Sequence, residues 1–198
     1  EAGYDAVELH MAHAYTLSSF LSRLNRRPDA DGGRSLESRL RLPTEVAQTV
    51  RSAVGADFPV GVRFDGEECV KGGYGLQDAE AIAVRLARAG MDYISLSAGG
   101  KFEDAQHRPG QVLYPYTGYS GDRTMPPSTY PDAANGYLAD GVRRALRAAG
   151  LSTPVVASGK IPTPELAEAT LAAGRADLVG MARALLADPD WPLKARAG

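Results

Sequence analysis

Three side chains able to donate hydrogen bonds or move protons crowd one stretch near the start of the sequence. They are His10, His13 and Tyr15, within Glu8-Leu9-His10-Met11-Ala12-His13-Ala14-Tyr15. The stretch follows an apolar run, Ala6 to Leu9, and so marks the place where a buried strand would leave a core. If the chain turns helical after His10, the two histidines are three apart and share one face, with Tyr15 overhanging the same pocket. Two chemistries fit. One is a pair of imidazole donors beside a phenolic acid; the other is a zinc site, which needs a third protein ligand and an open position. The remaining histidine is His107, far along the chain. Taken singly, each residue would read as ordinary packed core.

A second set of polar residues falls at or just past other apolar runs: Arg63, Ser97, Ser158-Gly159-Lys160 and Arg183. The plainer readings are a salt bridge from Arg63 to Asp65 and a routine tight turn at Gly159. These positions gain meaning from the elements that carry them. Ala2-Gly3-Tyr4-Asp5, Ala89-Gly90-Met91-Asp92 and Ala173-Gly174-Arg175-Ala176-Asp177 each read as a helix stop, closed by a left-handed glycine, before a strand. Val54-Gly55 and Ala149-Gly150 lead in the same way to Val60–Phe64 and Val155–Ser158. Helices are expected over 35–54, 76–89, 135–149 and 182–187, with another opened by a Thr163 cap and Pro164 at its first position.

Five apolar strands, each reached from a helix, predict a parallel α/β fold with both faces of the sheet covered. Polar residues at so many strand ends favour a (β/α)₈ TIM barrel over an open sheet, which gathers its site at one switch point. A full barrel needs about 250 residues, so residues 1–198 are read as the C-terminal portion of one barrel domain, roughly strands 4 to 8. Glu1-Ala2-Gly3 looks like a helix tail, which places the start of the sequence inside that larger domain. Residues 98–134, rich in Gly, Pro and Tyr, break the rhythm and are expected to form a long loop or lid.

Composition limits the function classes. With 22 basic and 24 acidic residues, no basic field invites nucleic acid or a membrane surface. A small-molecule substrate is the expected partner. One cysteine, Cys69, leaves no internal disulfide and suits a reducing, cytoplasmic location. No apolar run is long enough to span a bilayer.

At His10-Met11-Ala12-His13-Ala14-Tyr15 the chain resembles the old yellow enzyme family of FMN-dependent ene-reductases, whose pattern is His-x-Ala-His-Gly-Tyr or a His/Asn variant. The resemblance continues through Asn25-Arg26-Arg27, Asp31-Gly32-Gly33, Ser35-Leu36-Glu37-Ser38-Arg39, Pro59-Val60-Gly61-Val62-Arg63, Ala157-Ser158-Gly159-Lys160-Ile161 and the run from Ala176 to Pro189. Ala14 and Ala182 stand where the family has glycine; both are mild changes if φ there stays negative.

The resemblance implies an FMN oxidoreductase that uses NADH or NADPH to reduce an activated C=C bond of an α,β-unsaturated carbonyl or dienoyl compound. It implies that His10 and His13 donate to the carbonyl oxygen, where charge grows as hydride arrives, and that Tyr15 gives the proton. Arg63 would face the flavin edge, and Ser158, Gly159, Lys160, Ala182 and Arg183 would hold the FMN phosphate. On this reading the histidines bind no metal. An iron-sulfur cluster, known in the larger dienoyl-CoA-reductase-like branch, would lie beyond this chain. A homo-oligomer and a requirement for the remainder of the barrel are both compatible with the sequence. Two readings of other classes stand beside it: a non-redox barrel enzyme (isomerase, lyase or metal-assisted hydrolase) with a phosphate-binding site, and a non-catalytic barrel fragment.

Overall fold

A computed structural model describes residues 3–101 and 118–197. Five strands, β1 (Val7–Met11), β2 (Val60–Asp65), β3 (Tyr93–Ser97), β4 (Val155–Ser158) and β5 (Leu178–Gly180), form one parallel sheet. Each strand lies beside the one before it, in the order β1-β2-β3-β4-β5. A doubly wound sheet reverses its order at a switch point; an unbroken order is that of a barrel, and this sheet is a run of consecutive barrel strands.

The helices between them are α1 (Thr16–Leu21), α2 (Leu36–Val54), α3 (Leu76–Arg88), α4 (Gly118–Thr124), α5 (Gly136–Ala148), α6 (Pro164–Ala172), α7 (Arg183–Ala187) and α8 (Trp191–Ala197). Their ends follow local chemistry. Ser35 and Ser38 form a reciprocal capping box at the start of α2, and the Thr163 hydroxyl accepts from Leu166 N–H at 3.3 Å above Pro164. Gly90, Gly150 and Gly174 all take the left-handed stop conformation expected of them. The expected 98–134 loop contains α4; its residues His107, Tyr114 and Tyr116 lie outside the described residues.

The strands are less uniformly apolar than expected. Val60, Val62 and Phe64 of β2, Ile94 and Leu96 of β3, and Val155 and Ala157 of β4 join one buried cluster with Ile82 and Leu86 of α3 and Val142 and Leu146 of α5. The alternate positions include Glu8, His10, Arg63, Ser95, Ser97 and Ser158, interspersed with Tyr93 and Val156, so β1 to β4 turn an apolar face to the helices and a mixed, largely polar face away from them. Glycine and a single arginine inside the run Val60-Gly61-Val62-Arg63-Phe64 hid this alternation.

The recurring aspartates before strands clip one βα unit to the previous one. Asp92, just before β3, accepts from the N–H of Val60 at the start of β2 at 2.7 Å and from Arg51 of α2. Asp177, just before β5, accepts from Val155 N–H at the start of β4 at 2.9 Å, and from Arg143 and Arg147 of α5 at 3.0 Å each. Partial burial pushes the Asp177 carboxyl upward, but the Val155 N–H and the two guanidiniums more than offset this and hold it below the usual carboxylate range. A lowered carboxylate stabilises the fold above its unfolded-state pKa, and that contribution fades as pH falls through the folded value. Asp177→Asn is therefore expected to cost about 1–2 kcal/mol at neutral pH, read as a lower urea midpoint, with the gap to wild type closing in acid.

Candidate active site

The turn that leaves β1 brings the three sequence-identified groups together by an unexpected route. No helix begins at His13. His13 and Ala14 take left-handed φ values of 64° and 60°, and α1 starts only after Tyr15. The His10 and His13 rings stand 5.1 Å apart, and the His10 and Tyr15 rings 5.7 Å. The Lys101 ammonium lies 4.9 Å from the centre of the Tyr15 ring. Ala14 thus does not keep the negative φ that would make it a mild replacement for glycine. The left-handed conformation costs an L-residue about 1–2 kcal/mol. Ala182, at φ −122°, does keep a negative value.

Neighbours from three other elements hold this turn. His13 N–H donates to Asp65 Oδ2 at 2.8 Å, and Ala14 N–H to Ser18 Oγ at 3.3 Å. Gly100 lies against the other side of the turn and forms an isolated bridge with His13; a Cβ at Gly100 would sit 2.5 Å from the His13 carbonyl carbon. Asp65, the last residue of β2, is fully buried, and that burial raises its carboxyl well above the usual range. His13 is driven the other way. Burial, then the charges of His10 and Arg63, lowers it to about 4, so its imidazole is neutral at physiological pH. His10 is lowered by burial and Arg63, with Glu8 opposing.

Arg63 pairs with Glu8 (Nε to Oε1, 2.9 Å), not with Asp65. It stands in the sheet directly between His10 and Ser95. The remaining predicted residues gather in one place: Arg63, Ser158, Gly159, Lys160, Ala182 and Arg183 all line a cavity of about 770 Å³, together with His13 and Ser97. Gly159, at φ 109°, passes close under Asn135, whose side-chain nitrogen would lie 2.8 Å from a Cβ there. The Arg183 guanidinium donates to the Pro126 carbonyl at 2.8 Å. The Lys160 ammonium is engaged by the carbonyls of Ser128 and Tyr130 and by Asp132, which leaves its backbone as the part nearest the Gly159 turn.

Several contributors were not singled out in the sequence. Asp65 figured only as a partner for Arg63, and Asn135 and Thr124 not at all. The Gly99-Gly100 doublet was the one visible signal, since two glycines at a strand end announce a close approach of backbones. Among the described residues no group of three or more His, Cys, Asp or Glu side chains could hold a metal ion.

The sequence profile of the NADH:flavin oxidoreductase / NADH oxidase family matches residues 1–115 and 143–198. The chain is 37% identical over 198 residues to an NADH oxidase of Thermoanaerobacter brockii, covering 100% of this chain and 27% of that protein. It is 34% identical over 196 residues to an NADPH dehydrogenase of Halalkalibacterium halodurans, covering 98% of this chain and 49% of the relative. The chain therefore spans between about a quarter and a half of these relatives. Among solved structures it is similar to a 2-naphthoyl-CoA reductase in complex with 2-naphthoyl-CoA (TM-score 0.76, 29% identity, 99% of this chain and 26% of the other). It is also similar to morphinone reductase in complex with tetrahydroNAD (TM-score 0.65, 28% identity, 100% and 44%).

Two outcomes follow for the turn. Ala14→Gly removes the left-handed penalty and is expected to raise stability by about 1 kcal/mol, measured as a higher urea midpoint. For His13, the unfolded chain takes up a proton near pH 6.5 and the folded one only near pH 4. Its contribution is fully present above pH 6.5 and declines down to pH 4, by on the order of 3 kcal/mol. Urea titrations at pH 7 and pH 4.5 are expected to show a larger acid loss in wild type than in His13→Gln.

Proposed function

The chain belongs to the NADH:flavin oxidoreductase / NADH oxidase family, and on that premise we propose that it carries the substrate-activating and phosphate-binding part of an NAD(P)H-dependent FMN enzyme that reduces an activated C=C bond. The observation that carries the reading is the convergence of two residue sets. His13, whose ring neighbours those of His10 and Tyr15, lines the same cavity as Arg63, Ser158, Gly159 and Arg183.

The residues present fit FMN. A cavity of about 770 Å³ lies within the usual range of ligand sites, roughly 300–1,000 Å³. Thr124, on its wall, has a buried hydroxyl with no hydrogen-bond partner among the described residues, as expected where a polar ligand completes the wall. Arg183 and the Gly159 backbone would hold the phosphate, and Arg63 would set its charge toward the ring's N1/O2 edge. When bound, FMN supplies the hydride and is itself reduced by NADH or NADPH.

The protein's own groups do the rest. His10 and His13, both neutral, donate hydrogen bonds to the substrate carbonyl oxygen and stabilise the negative charge that grows there. The Tyr15 phenol delivers a proton to the α-carbon as the general acid. Glu8 anchors the Arg63 side chain through their 2.9 Å ion pair. Two of the structural relatives are reductases by name, of morphinone and of 2-naphthoyl-CoA, which supports reduction of a conjugated system in this chain's site.

The decisive test is Tyr15→Phe in the complete protein. Alkene reduction is expected to slow by about 10²-fold or more, while reduction of the bound flavin by nicotinamide stays within a few-fold of wild type. Both half-reactions are read by stopped-flow absorbance. A collapse of flavin reduction would remove Tyr15 from the role of proton donor. His10→Ala is expected to weaken the binding of phenolic ligands, measured by the long-wavelength band they induce.

A further inference from the structure

We infer that Ser97 is a positioning residue that fixes the tautomer of His13, holding the imidazole proton on Nδ1. The inference rests on the reading of His13 as a hydrogen-bond donor to substrate, and it names the nitrogen that donates.

The argument is one of satisfied donors. His13 Nε2 and Ser97 Oγ are 2.5 Å apart, a short hydrogen bond whose direction depends on where the protons lie. A neutral imidazole carries a single N–H, on either Nε2 or Nδ1. If Nε2 carries it, His13 donates to Ser97, and the Ser97 O–H must find another acceptor. Ser97 is only 5% exposed, and its hydroxyl makes no other hydrogen bond among the described residues. A buried hydroxyl proton without an acceptor costs about 1–3 kcal/mol. If Nδ1 carries the proton, the Ser97 O–H donates to Nε2 and is satisfied, and the Nδ1–H is the donor turned to a substrate oxygen.

One group pulls the other way. Asp65 Oδ1 lies 3.9 Å from His13 Nε2, and a carboxylate there would favour a proton on Nε2. That separation exceeds hydrogen-bond length, and complete burial drives Asp65 toward its uncharged form, which removes most of the attraction.

Ser97 is well built for the task. As the last residue of β3 it is paired with Asp65 of β2 and accepts Gly66 N–H through its carbonyl at 2.8 Å, so its Cα cannot drift. Asp65 meanwhile fixes the His13 backbone through the 2.8 Å bond to its N–H. One strand end orients the ring, and its neighbour holds the main chain beneath it. With Nε2 occupied as an acceptor, His13 can meet substrate only as an Nδ1–H donor. That is how an imidazole too acidic to be cationic at neutral pH can still stabilise a developing oxyanion.

The test is a long-range proton–nitrogen correlation spectrum of the imidazoles in the complete, ¹⁵N-labelled protein, with the His13 signals identified by their loss in His13→Gln. Wild type is expected to show a protonated Nδ1 and an unprotonated Nε2. Ser97→Ala is expected to move the proton wholly or partly to Nε2, and Ser97→Thr, which keeps the hydroxyl, to retain the wild-type pattern. In the same variants alkene reduction should fall about tenfold for alanine and stay near wild type for threonine. An Nε2-protonated His13 in wild type overturns the inference, as does a Ser97→Ala protein with an unchanged imidazole pattern. Should Ser97→Ala fail to fold, the wild-type and threonine spectra still decide it. A complete protein that reduces no conjugated alkene would instead overturn the substrate reading, and the imidazole pattern would still report on Ser97.

Discussion

The working end of this sheet depends on one hydrogen bond to a carboxyl group that has no access to water. Asp65 Oδ2 accepts the His13 N–H, and this bond bridges β2 to the turn after β1. Two consecutive left-handed residues, neither of them glycine, are an unstable way to leave a strand. They persist because Asp65 fixes the turn from one side and Gly100 from the other. Without that turn, His10 and His13, three residues apart, would point to opposite faces of an extended chain, and Tyr15 would go with His13 alone. Strain of this kind is characteristic of sites where geometry matters more than stability.

The same constraint separates what the sequence made legible from what it did not. Strands and helices could be read because each is closed by a glycine or opened by a capping residue, and those signals are local. The cavity residues Arg63, Gly159 and Arg183 could be read because they fall at strand ends and match a family pattern. The sign of φ at Ala14 could not, since nothing in Ala12-His13-Ala14 announces a left-handed pair; it is imposed by a residue fifty-one positions later, Asp65. Nor could the engagement of Lys160 by the backbone of Ser128 and Tyr130, which requires the segment before α5 to fold back over the end of β4. Long-range contacts decided each miss.

The two faces of the sheet have different tasks. The face toward the helices is a continuous apolar layer in which Phe64, Ile94, Leu96 and Val155 are inaccessible to solvent. It supplies most of the hydrophobic stabilisation. The other face carries Glu8, His10, Arg63, Ser95 and Ser158, residues unsuited to a dry core. Because the alternation along a strand has a period of two, a slip of one residue in any pairing would put charges among the helices and leucines in the cavity. Site and core therefore specify the same register.

Strand order equal to chain order has a kinetic consequence. Each strand finds its partner in the immediately preceding unit, so the entropy of loop closure is that of one helix and its connections and never that of the whole chain. Contact order stays low for a parallel sheet, which favours rapid, stepwise growth. The Asp92 and Asp177 clips suit such growth, because each joins a new strand to the foot of the last one and to its helix. A chain emerging from the ribosome could lock each unit as it arrives, each new strand finding its neighbour already in place.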